Sequence, residues 1–397
     1  MWSSDPVTPT SPARRTGRLS PARRFAPRAQ GLAAAAAALL AAALGLAIVF
    51  LPLLTSLEAS TLSARFSLRA GHPTGVAVVA IDDRSFAQLQ HPWPFPRSWH
   101  GRVLEALRRA GARAVFYDIQ FTEPTTPAQD TALYDALGST GGAILSTTET
   151  DGHGRSQVLG GDANLAQVHS GAAASNFPVG AGGVIDHVPY AYGGLATAPV
   201  AIAERVLGHA PDRALFGGPG AFIDFQGGPG SFPTLSFSDV LHGTFPSSAV
   251  RGKVVVVGAA SPSLQDLHAV PGTSDALMSG PELQANAIWT VLHGVPLRPA
   301  PAALIVAVIL LAAAVAPVAR WRRSVPAVLG CTLLGAAGYA VLAQVAFNAG
   351  LVLPVVGPLA TSRRRRHARG QSPAGHARAT RHPAGDRAPA RAGGRAA

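Results

Sequence analysis

The segment 75–124 constrains the fold more than any other part of the chain, because it holds two continuous apolar runs separated by an amphipathic stretch. Consecutive apolar residues, as in 76–81 and 114–121, are typical of parallel strands that are buried on both faces. Between these runs, 97–110 has apolar residues at helical spacing, and Gly111 follows as a stop. Since a strand, a helix and a parallel strand connect right-handedly in nearly all proteins, the segment predicts a βαβ unit of an α/β domain.

The remainder of the middle region shows weaker patterns of the same kind. Apolar positions at helical or strand spacing, bounded by Gly and Pro, predict alternating helices and strands. We expect helices at 127–138, 198–207, 235–241 and 282–293, and strands at 142–147, 221–225 and 253–257.

Three long apolar runs predict membrane-spanning helices at 31–54, 302–319 and 325–347. The first run follows an Arg-rich leader, so a cleaved signal peptide is an alternative interpretation. At 24 residues, however, the run exceeds the apolar core of about 7 to 15 residues of such a peptide, which favours an uncleaved anchor. The fold class expected is therefore α/β, with a mostly parallel sheet and flanking helices in one extracytoplasmic domain, and with transmembrane helices before and after it.

The positive charge of the chain lies outside the middle domain. The formal net charge is +12, yet 58–298 contains 14 Lys and Arg against 19 Asp and Glu. The excess arginines flank the apolar runs, where the positive-inside rule places them on the cytoplasmic side, so the acidic domain is expected outside. A nucleic-acid-binding arm is the alternative, but the basic segments lack interleaved aromatic residues and a recognisable reading helix. We therefore expect the membrane, and no nucleic acid, as a partner.

The two ends of the chain are poor in large apolar residues and are expected to be disordered. The leader 1–30 is rich in Ser, Pro and Arg, and the tail 363–397 contains no Leu, Ile, Val, Phe or Met. Between the last predicted span and the tail, 351–362 is apolar but too short to cross a bilayer, since it has 12 residues at ~1.5 Å each. Either 363–397 is a plain Arg-rich tail, or an interrupted fourth span is followed by sequence translated out of frame.

Cysteine use excludes two ways of stabilising the domain. Cys331 is the single cysteine of the chain and falls inside a predicted span. The middle domain consequently has neither a disulfide framework nor a cysteine zinc site, and its apolar core must suffice.

Carboxylates follow both strands of the 75–124 segment and are the best candidates for a site. Asp82 and Asp83 come after the first strand, while Asp118 and Glu123 end the second. Such acids at one sheet edge bind a hard cation through oxygen, and Mg²⁺ held in this way serves phosphoryl chemistry. The alternative, to which we give more weight, is structural: Asp82 and Asp83 cap a helix and Asp118 turns the chain. The pattern identifies neither a metal nor a cofactor.

Five blocks of sequence follow one another along the middle region: VVAIDDRSF, WPFPRSWHGRVLEALRRAGARAVFYDIQFTEP, FPTLSFSDVLHG, VRGKVVVVGAASPSLQDLH and SGPELQANAIWTVLHGVPLR. Together they resemble the type-2 CHASE domain, the extracellular sensory module of bacterial adenylate and guanylate cyclases, histidine kinases and other receptors. The resemblance covers about 57–298 and implies one span before the domain, three after it, and a cytoplasmic effector.

The resemblance implies a multi-pass protein of the bacterial cell membrane whose extracytoplasmic domain binds an unidentified ligand. The 35 residues from Arg363 onward are too few for a cyclase or kinase domain, so we expect a receptor sensor without its effector, truncated or frameshifted. Homodimer formation is left open. The alternative function is a cation-dependent hydrolase that uses Asp82, Asp83, Asp118 and Glu123.

The expected organisation divides the chain into seven parts. They are a disordered basic cytoplasmic leader (1–30), a transmembrane helix (31–54), the CHASE-type sensor domain (57–298), transmembrane helices at 302–319 and 325–347, an incomplete transmembrane segment (351–362) and a disordered Arg-rich tail (363–397).

Overall fold

The computed structural model describes residues 55–69, 71, 73–151, 153–273, 276–308 and 325–355. The predictions made for the leader 1–30, the apolar run 31–54 and the tail 363–397 lie outside these ranges. Of the predicted span 302–319, residues 302–308 are described and are helical.

A six-stranded sheet, parallel throughout, forms the centre of the domain. Its strands are β1 (Val76–Ile81), β2 (Ala114–Gln120), β3 (Ile144–Thr147), β4 (Gly171–Ala174), β9 (Thr234–Ser236) and β10 (Val254–Ala259), in the spatial order β4-β3-β2-β10-β1-β9. Four two-stranded pairs lie outside it: β5 (His187–Val188) with β8 (Ala221–Phe222), β6 (Ala191–Tyr192) with β7 (Leu195–Ala196), β11 (Leu267–His268) with β12 (Met278–Ser279), and β13 (Arg298–Pro299) with β14 (Leu351–Val352).

Helices cover both faces of the sheet and extend from its end. They are α1 (Thr55–Ser67), α2 (Asp83–Leu89), α3 (Arg97–Arg109), α4 (Pro127–Thr140), α5 (Asp162–Gln167), α6 (Ala198–Leu207), α7 (Phe237–His242), α8 (Gly280–Leu292) and α9 (Val325–Asn348).

Alternate residues of each strand enter different cores, as the pleat requires. Ile81 of β1 packs in the core beneath α3 and α4, together with Leu107 and Leu133. Val78, on the opposite face of the same strand, packs with Ile288 of α8. Since burying each such side chain contributes about 1.5–3 kcal/mol, the two cores together explain why β1 is apolar at every position.

The chain crosses the sheet in two directions. From β1 through β4 it advances along one face by way of α3, α4 and α5, and α6 then returns on the opposite face before β9. Right-handed crossovers require this arrangement, because a connection that runs the opposite way along the sheet must lie on the opposite face. The connections after β1 and β2 therefore leave on one face, and the connection after β10 leaves on the other, towards α8.

The structure confirms the parallel α/β fold and corrects the start of one predicted helix. The strands β1 and β2 lie in the same parallel sheet with β10 between them. The segment between β1 and α3 contains the further helix α2. The helix predicted at 235–241 begins at Phe237, since 234–236 form the edge strand β9, which hydrogen-bonds to β1.

A third apolar cluster joins α1 and α9 to the base of the domain. Phe66 of α1 contacts Phe225 edge-on at 5.5 Å between ring centroids and Phe347 of α9 at 4.9 Å. Arg65 donates from Nη1 to the carbonyl of Leu353 at 2.6 Å. Together with Arg69 and Asp224, which form an ion pair, Phe66, Phe225 and Phe347 define what we call the junction.

The segments predicted to cross a membrane are described only in part. Within the described ranges, no helix combines the length and the apolarity that crossing a bilayer requires. Residues 325–348 are helical, whereas 351–352 form the strand β14 rather than the beginning of another helix. The transmembrane helices stay predictions of the sequence.

Replacing Leu107 by Ala tests the core between the sheet and α3. Leu107 is fully buried, so Leu107→Ala is expected to lower the free energy of unfolding by about 2–5 kcal/mol, through lost burial and the cavity left behind. Urea unfolding followed by circular dichroism measures the change. The matched control is Leu68→Ala, since Leu68 is 76% exposed and its loss should change stability by less than about 0.5 kcal/mol. Equal effects of the two substitutions would contradict the assignment of this core.

Candidate functional site

Asp82 serves the local structure at the end of β1. It is the N-cap of α2, and its Oδ1 accepts hydrogen bonds from the Ser85 backbone N–H at 2.8 Å and from the Ser236 hydroxyl at 2.7 Å. An N-cap carboxylate satisfies an amide that the first helical turn cannot, and here it also ties the edge strand β9 to β1. The structural interpretation of Asp82 is thus supported.

Asp83 and Glu123 are likewise engaged in local contacts rather than gathered in a cluster. Asp83 accepts a hydrogen bond from the Ser261 hydroxyl, which joins the start of α2 to the connection after β10. Glu123 is exposed, and its backbone carbonyl accepts a hydrogen bond from Arg97, which also pairs with Asp130. Across the described part of the chain, no three His, Cys, Asp or Glu residues are placed to hold a metal ion.

Asp118 occupies the position at which an open parallel sheet offers a crevice. It lies at the carboxyl end of β2, next to β10, and the connections after these two strands leave on opposite faces. The pairing of β2 with β3 shifts register between Tyr117 and Gln120, so the backbone is irregular at Asp118 itself. Irregularities of this kind redirect a side chain at the edge of a sheet.

Gly258 of β10 allows α8 to approach Asp118. It is the register partner of Asp118, and a Cβ at this position would lie 3.0 Å from the Asp118 Cβ and 3.1 Å from the Cβ of Pro281. These separations are shorter than ordinary van der Waals contacts, so a larger residue would force the first turn of α8 away from the sheet.

A chain of polar side chains connects Asp118 to α8. Ser146 of β3 lies beside Asp118 and lowers its pKa, and its hydroxyl donates to Ser175 Oγ at 2.7 Å. Gln284 of α8 donates from Nε2 to the Ser175 carbonyl at 3.3 Å. Residues from β2, from β3, from the end of β4 and from α8 therefore meet at one place.

A second carboxylate lies at the beginning of α8. Asp266 Oδ1 pairs with His268 Nε2 at 2.8 Å, and the Asp266 carbonyl accepts from the Gly280 N–H at 2.9 Å. Any Cβ at Gly280 would overlap the Asp266 carboxylate, so that glycine lets the carboxylate rest against the first turn of the helix. A negative charge there is stabilised by the positive end of the helix dipole.

The surroundings of Asp118 make its ionisation unfavourable. Burial, first, and the negative charge of Asp266, second, raise the pKa of Asp118 to about 7, while the neighbouring Ser146 hydroxyl and the charge of His268 lower it. Near neutral pH, Asp118 is therefore divided between its protonated and ionised forms.

Two buried oxygen atoms near Asp118 have no hydrogen-bond partner: Oε1 of Gln284 and Oδ1 of Asn176. Gln284 is 2% exposed, and Asn176 directly follows Ser175. Leaving a buried acceptor unpaired costs about 1–3 kcal/mol, so each of these oxygens needs a donor that the described side chains do not supply. We call the following group the Asp118 site: Asp118, Ser146, Ser175, Asn176, Asp266, His268 and Gln284.

A cavity of about 30 Å³ lies at the amino end of β2, far along the strand from Asp118, and Arg108, Arg113 and Arg205 line it. Arg205 donates to the carbonyl of Gly141, the C-cap of α4, and Arg113 donates to the carbonyl of Val206 at 2.8 Å. Burial, and secondarily the charge of Arg108, lower the pKa of Arg205. Because these cations satisfy carbonyls at helix ends, their role there is structural.

A family model described as the CHASE2 domain matches residues 35–318, well over half of the chain. The chain belongs to the CHASE2 domain family. This confirms the resemblance drawn from the five blocks and identifies the α/β fold as a sensory domain. No curated protein and no solved structure matches the chain.

The candidate site in this CHASE2 domain includes one of the four predicted acids, Asp118. The structure places Asp118 with residues from four other segments, and it places Asp82, Asp83 and Glu123 in capping and loop contacts. Sequence analysis missed Asp266 and His268, although both lie in a block that carries the family resemblance, SPSLQDLH.

Asp82→Ala is expected to destabilise the domain by about 1–2 kcal/mol, because the α2 N-cap is lost. Asp82→Asn keeps a capping oxygen and should retain most of that stability. Urea unfolding of the two variants measures the difference. If Asp82→Ala were as stable as the unchanged protein, the capping role would be wrong.

The raised pKa of Asp118 predicts a specific dependence of stability on pH. The folded-state pKa, about 7, exceeds the ordinary value of 3.8, so the native state binds more protons between these values. Stability from this group is therefore present below pH 3.8 and lost as pH rises towards 7. Asp118→Asn should raise the Tm relative to the unchanged protein by at least about 2 °C at pH 8, and by less at pH 5.

The control for this measurement is Asp135→Asn, which removes an exposed carboxylate of α4. Its effect on Tm should be the same at both pH values. If the difference in Tm between Asp118→Asn and the unchanged protein were no larger at pH 8 than at pH 5, the raised pKa of Asp118 would be refuted.

Proposed function

We propose that the chain is the extracytoplasmic sensor of a membrane-bound signalling receptor, and that a ligand at the Asp118 site shifts the helices α1 and α9 that flank the domain. The family membership supports the sensory role. The observation that carries the coupling is that α8 contacts both the Asp118 site and the segment that leads to the junction.

Residues on successive turns of α8 make these two sets of contacts. Gln284 reaches Ser175 at the site. Asn286, about half a turn after Gln284, accepts from the Gln226 N–H at 3.0 Å. Thr290, one turn further along, accepts from the Asp224 N–H at 2.9 Å. A rigid helix displaced at its first turn therefore displaces the segment that carries Asp224.

The junction relays that displacement to the flanking helices. Asp224 pairs with Arg69, which follows α1, and the Arg69 guanidinium lies 5.8 Å from the ring centroid of Phe347 in α9. Phe66 of α1 also contacts Phe347 of α9, so the two flanking helices meet at the junction. The arrangement supports a shift between two populations of α1 and α9 that a ligand biases through α8.

Three observations support attachment to a membrane. The Arg-rich leader precedes an apolar run of 24 residues that leads directly into α1. The family match begins at residue 35, inside that run. Several large apolar side chains of α9 are exposed, as expected for a lipid-facing surface: Leu333, Leu334, Val341, Leu342 and Val345. No observation in the described residues favours the cation-dependent hydrolase.

Alkaline phosphatase fusions in a bacterial host test this topology. The enzyme is active only outside the cytoplasm, so a fusion after Arg298 should be active, because that residue ends the sensor domain. A fusion after Arg323, in the arginine-rich turn that follows the next apolar run, is the matched control and should be inactive. The reverse pattern, inactive after Arg298 and active after Arg323, would overturn the extracytoplasmic assignment.

A further inference from the structure

We propose that the Asp118 site binds a small organic cation that carries N–H donors, such as a primary ammonium or guanidinium group. The inference names the ligand class of the sensor and so rests on the proposed function. It is carried by the hydrogen-bonding needs and the charge of the residues that surround the crevice.

The atoms left without partners at the site are acceptors. Gln284 Oε1 and Asn176 Oδ1 are both buried oxygens, and the Gln284 amide nitrogen is already used by the Ser175 carbonyl. Pro281 and Gln284 lie on the same face of α8, since they are three residues apart, and Pro281 abuts the Gly258 position next to Asp118. The buried amide of Gln284 is therefore directed towards the Asp118 crevice, where a ligand must supply the donors.

The charge of the site favours a cation among such donors. Asp118 and Asp266 are close enough to influence each other, and His268 is the basic side chain that acts on Asp118 among the described residues. Two carboxylates against one histidine leave negative potential in a half-buried crevice, where attraction exceeds that in water. A cation there would stabilise the ionised form of Asp118.

The same residues argue against a bare metal ion and against an anion. Within the described ranges, no three metal-binding side chains converge, whereas amide and carboxylate oxygens suit an N–H cation held by hydrogen bonds. The first turn of α8 would attract an anion, but the Asp266 carboxylate already rests against it.

Titrations with paired probes separate charge from hydrogen bonding. The full-length chain in detergent micelles is titrated with methylammonium and methylguanidinium, followed by isothermal calorimetry and thermal shift. Tetramethylammonium has the same charge without N–H donors, and ethylene glycol has donors without charge. We expect saturable binding of at least one N–H cation, and binding at least about tenfold weaker for both controls, which corresponds to about 1.4 kcal/mol.

Two substitutions connect that binding to the site. Asp118→Asn removes the charge at almost unchanged volume, and Gln284→Met removes the amide at similar length. Each should weaken binding of the N–H cation about tenfold or more, whereas Asp135→Asn should leave it unchanged. Circular dichroism and the Tm establish that each variant is folded. Unaltered affinity in a folded Asp118→Asn protein would refute the proposal.

The pH dependence is an independent readout. Because ionised Asp118 rises from about a tenth to about nine tenths of the population between pH 6 and pH 8, affinity should increase about tenfold over this interval. The charged groups that act on Asp118 are Asp266 and His268, so His268→Gln is the control for histidine titration. The increase should persist in His268→Gln and vanish in Asp118→Asn.

Failure of this inference is distinguishable from failure of the proposed function. If tetramethylammonium binds as tightly as methylammonium, or if neither N–H cation binds at millimolar concentration, the ligand class is wrong while the fusion results still support a sensor. If the fusions instead place the domain in the cytoplasm, the receptor proposal fails whatever the titrations show.

Discussion

The close approach of α8 to the centre of the sheet is the contact on which the other features depend. It is permitted by Gly258, where even one added carbon would press on both Asp118 and Pro281. Because β10 is bracketed by β1 and β2, its backbone has no freedom to retreat, and strain at this contact would move the helix rather than the sheet. The position of the first turn of α8 therefore determines both the geometry of the Asp118 site and that of the junction.

Buried polar groups determine how α8 is seated. Glu282 accepts from the Gly230 and Ser231 N–H groups, while Asn286 accepts from the Gln226 N–H and Thr290 from the Asp224 N–H. An apolar helix can rotate or slide at small cost, but each of these groups would lose its partner if α8 moved, at about 1–3 kcal/mol apiece. Gln284, on the same helix, differs from these three residues because its Oε1 has no hydrogen-bond partner. In the proposal made above, that oxygen binds the ligand.

The sequence predicted the fold through features that are local. The continuous runs of β1 and β2, the spacing of α3 and the composition of α6 each reveal an element with bounds close to those observed. It could not predict that β10 separates β1 from β2, since nothing within a strand specifies its neighbours. The strand-end position of Asp82 and Asp118 was likewise visible, but their different roles follow from distant partners, Ser236 for one and Asp266 for the other.

No sequence pattern marks Ser146, Ser175 and Gln284 as residues of the site. Hydroxyl and amide side chains are common in any α/β domain, and these three come from segments separated by up to 138 positions in the chain. Their significance arises from one chain of polar side chains that ends at Asp118 and from the one oxygen in it without a partner. A sequence pattern records neither property, so resemblance to a family identifies the sensor without identifying where it senses.

Under the proposed function, the ion pair at the junction converts a small displacement of α8 into a discrete change. Asp224 is fully buried, and burial raises its pKa while the charge of Arg69 lowers it. Removing the partner from a buried charge costs about 3–5 kcal/mol, so Arg69 cannot separate gradually from Asp224. It must either stay paired or exchange its contacts together with the ring of Phe347. Since a ligand shifts such an equilibrium only by its difference in affinity for the two states, a coupling of about 1–3 kcal/mol, transmitted through one helix, is enough to change the arrangement of α1 and α9.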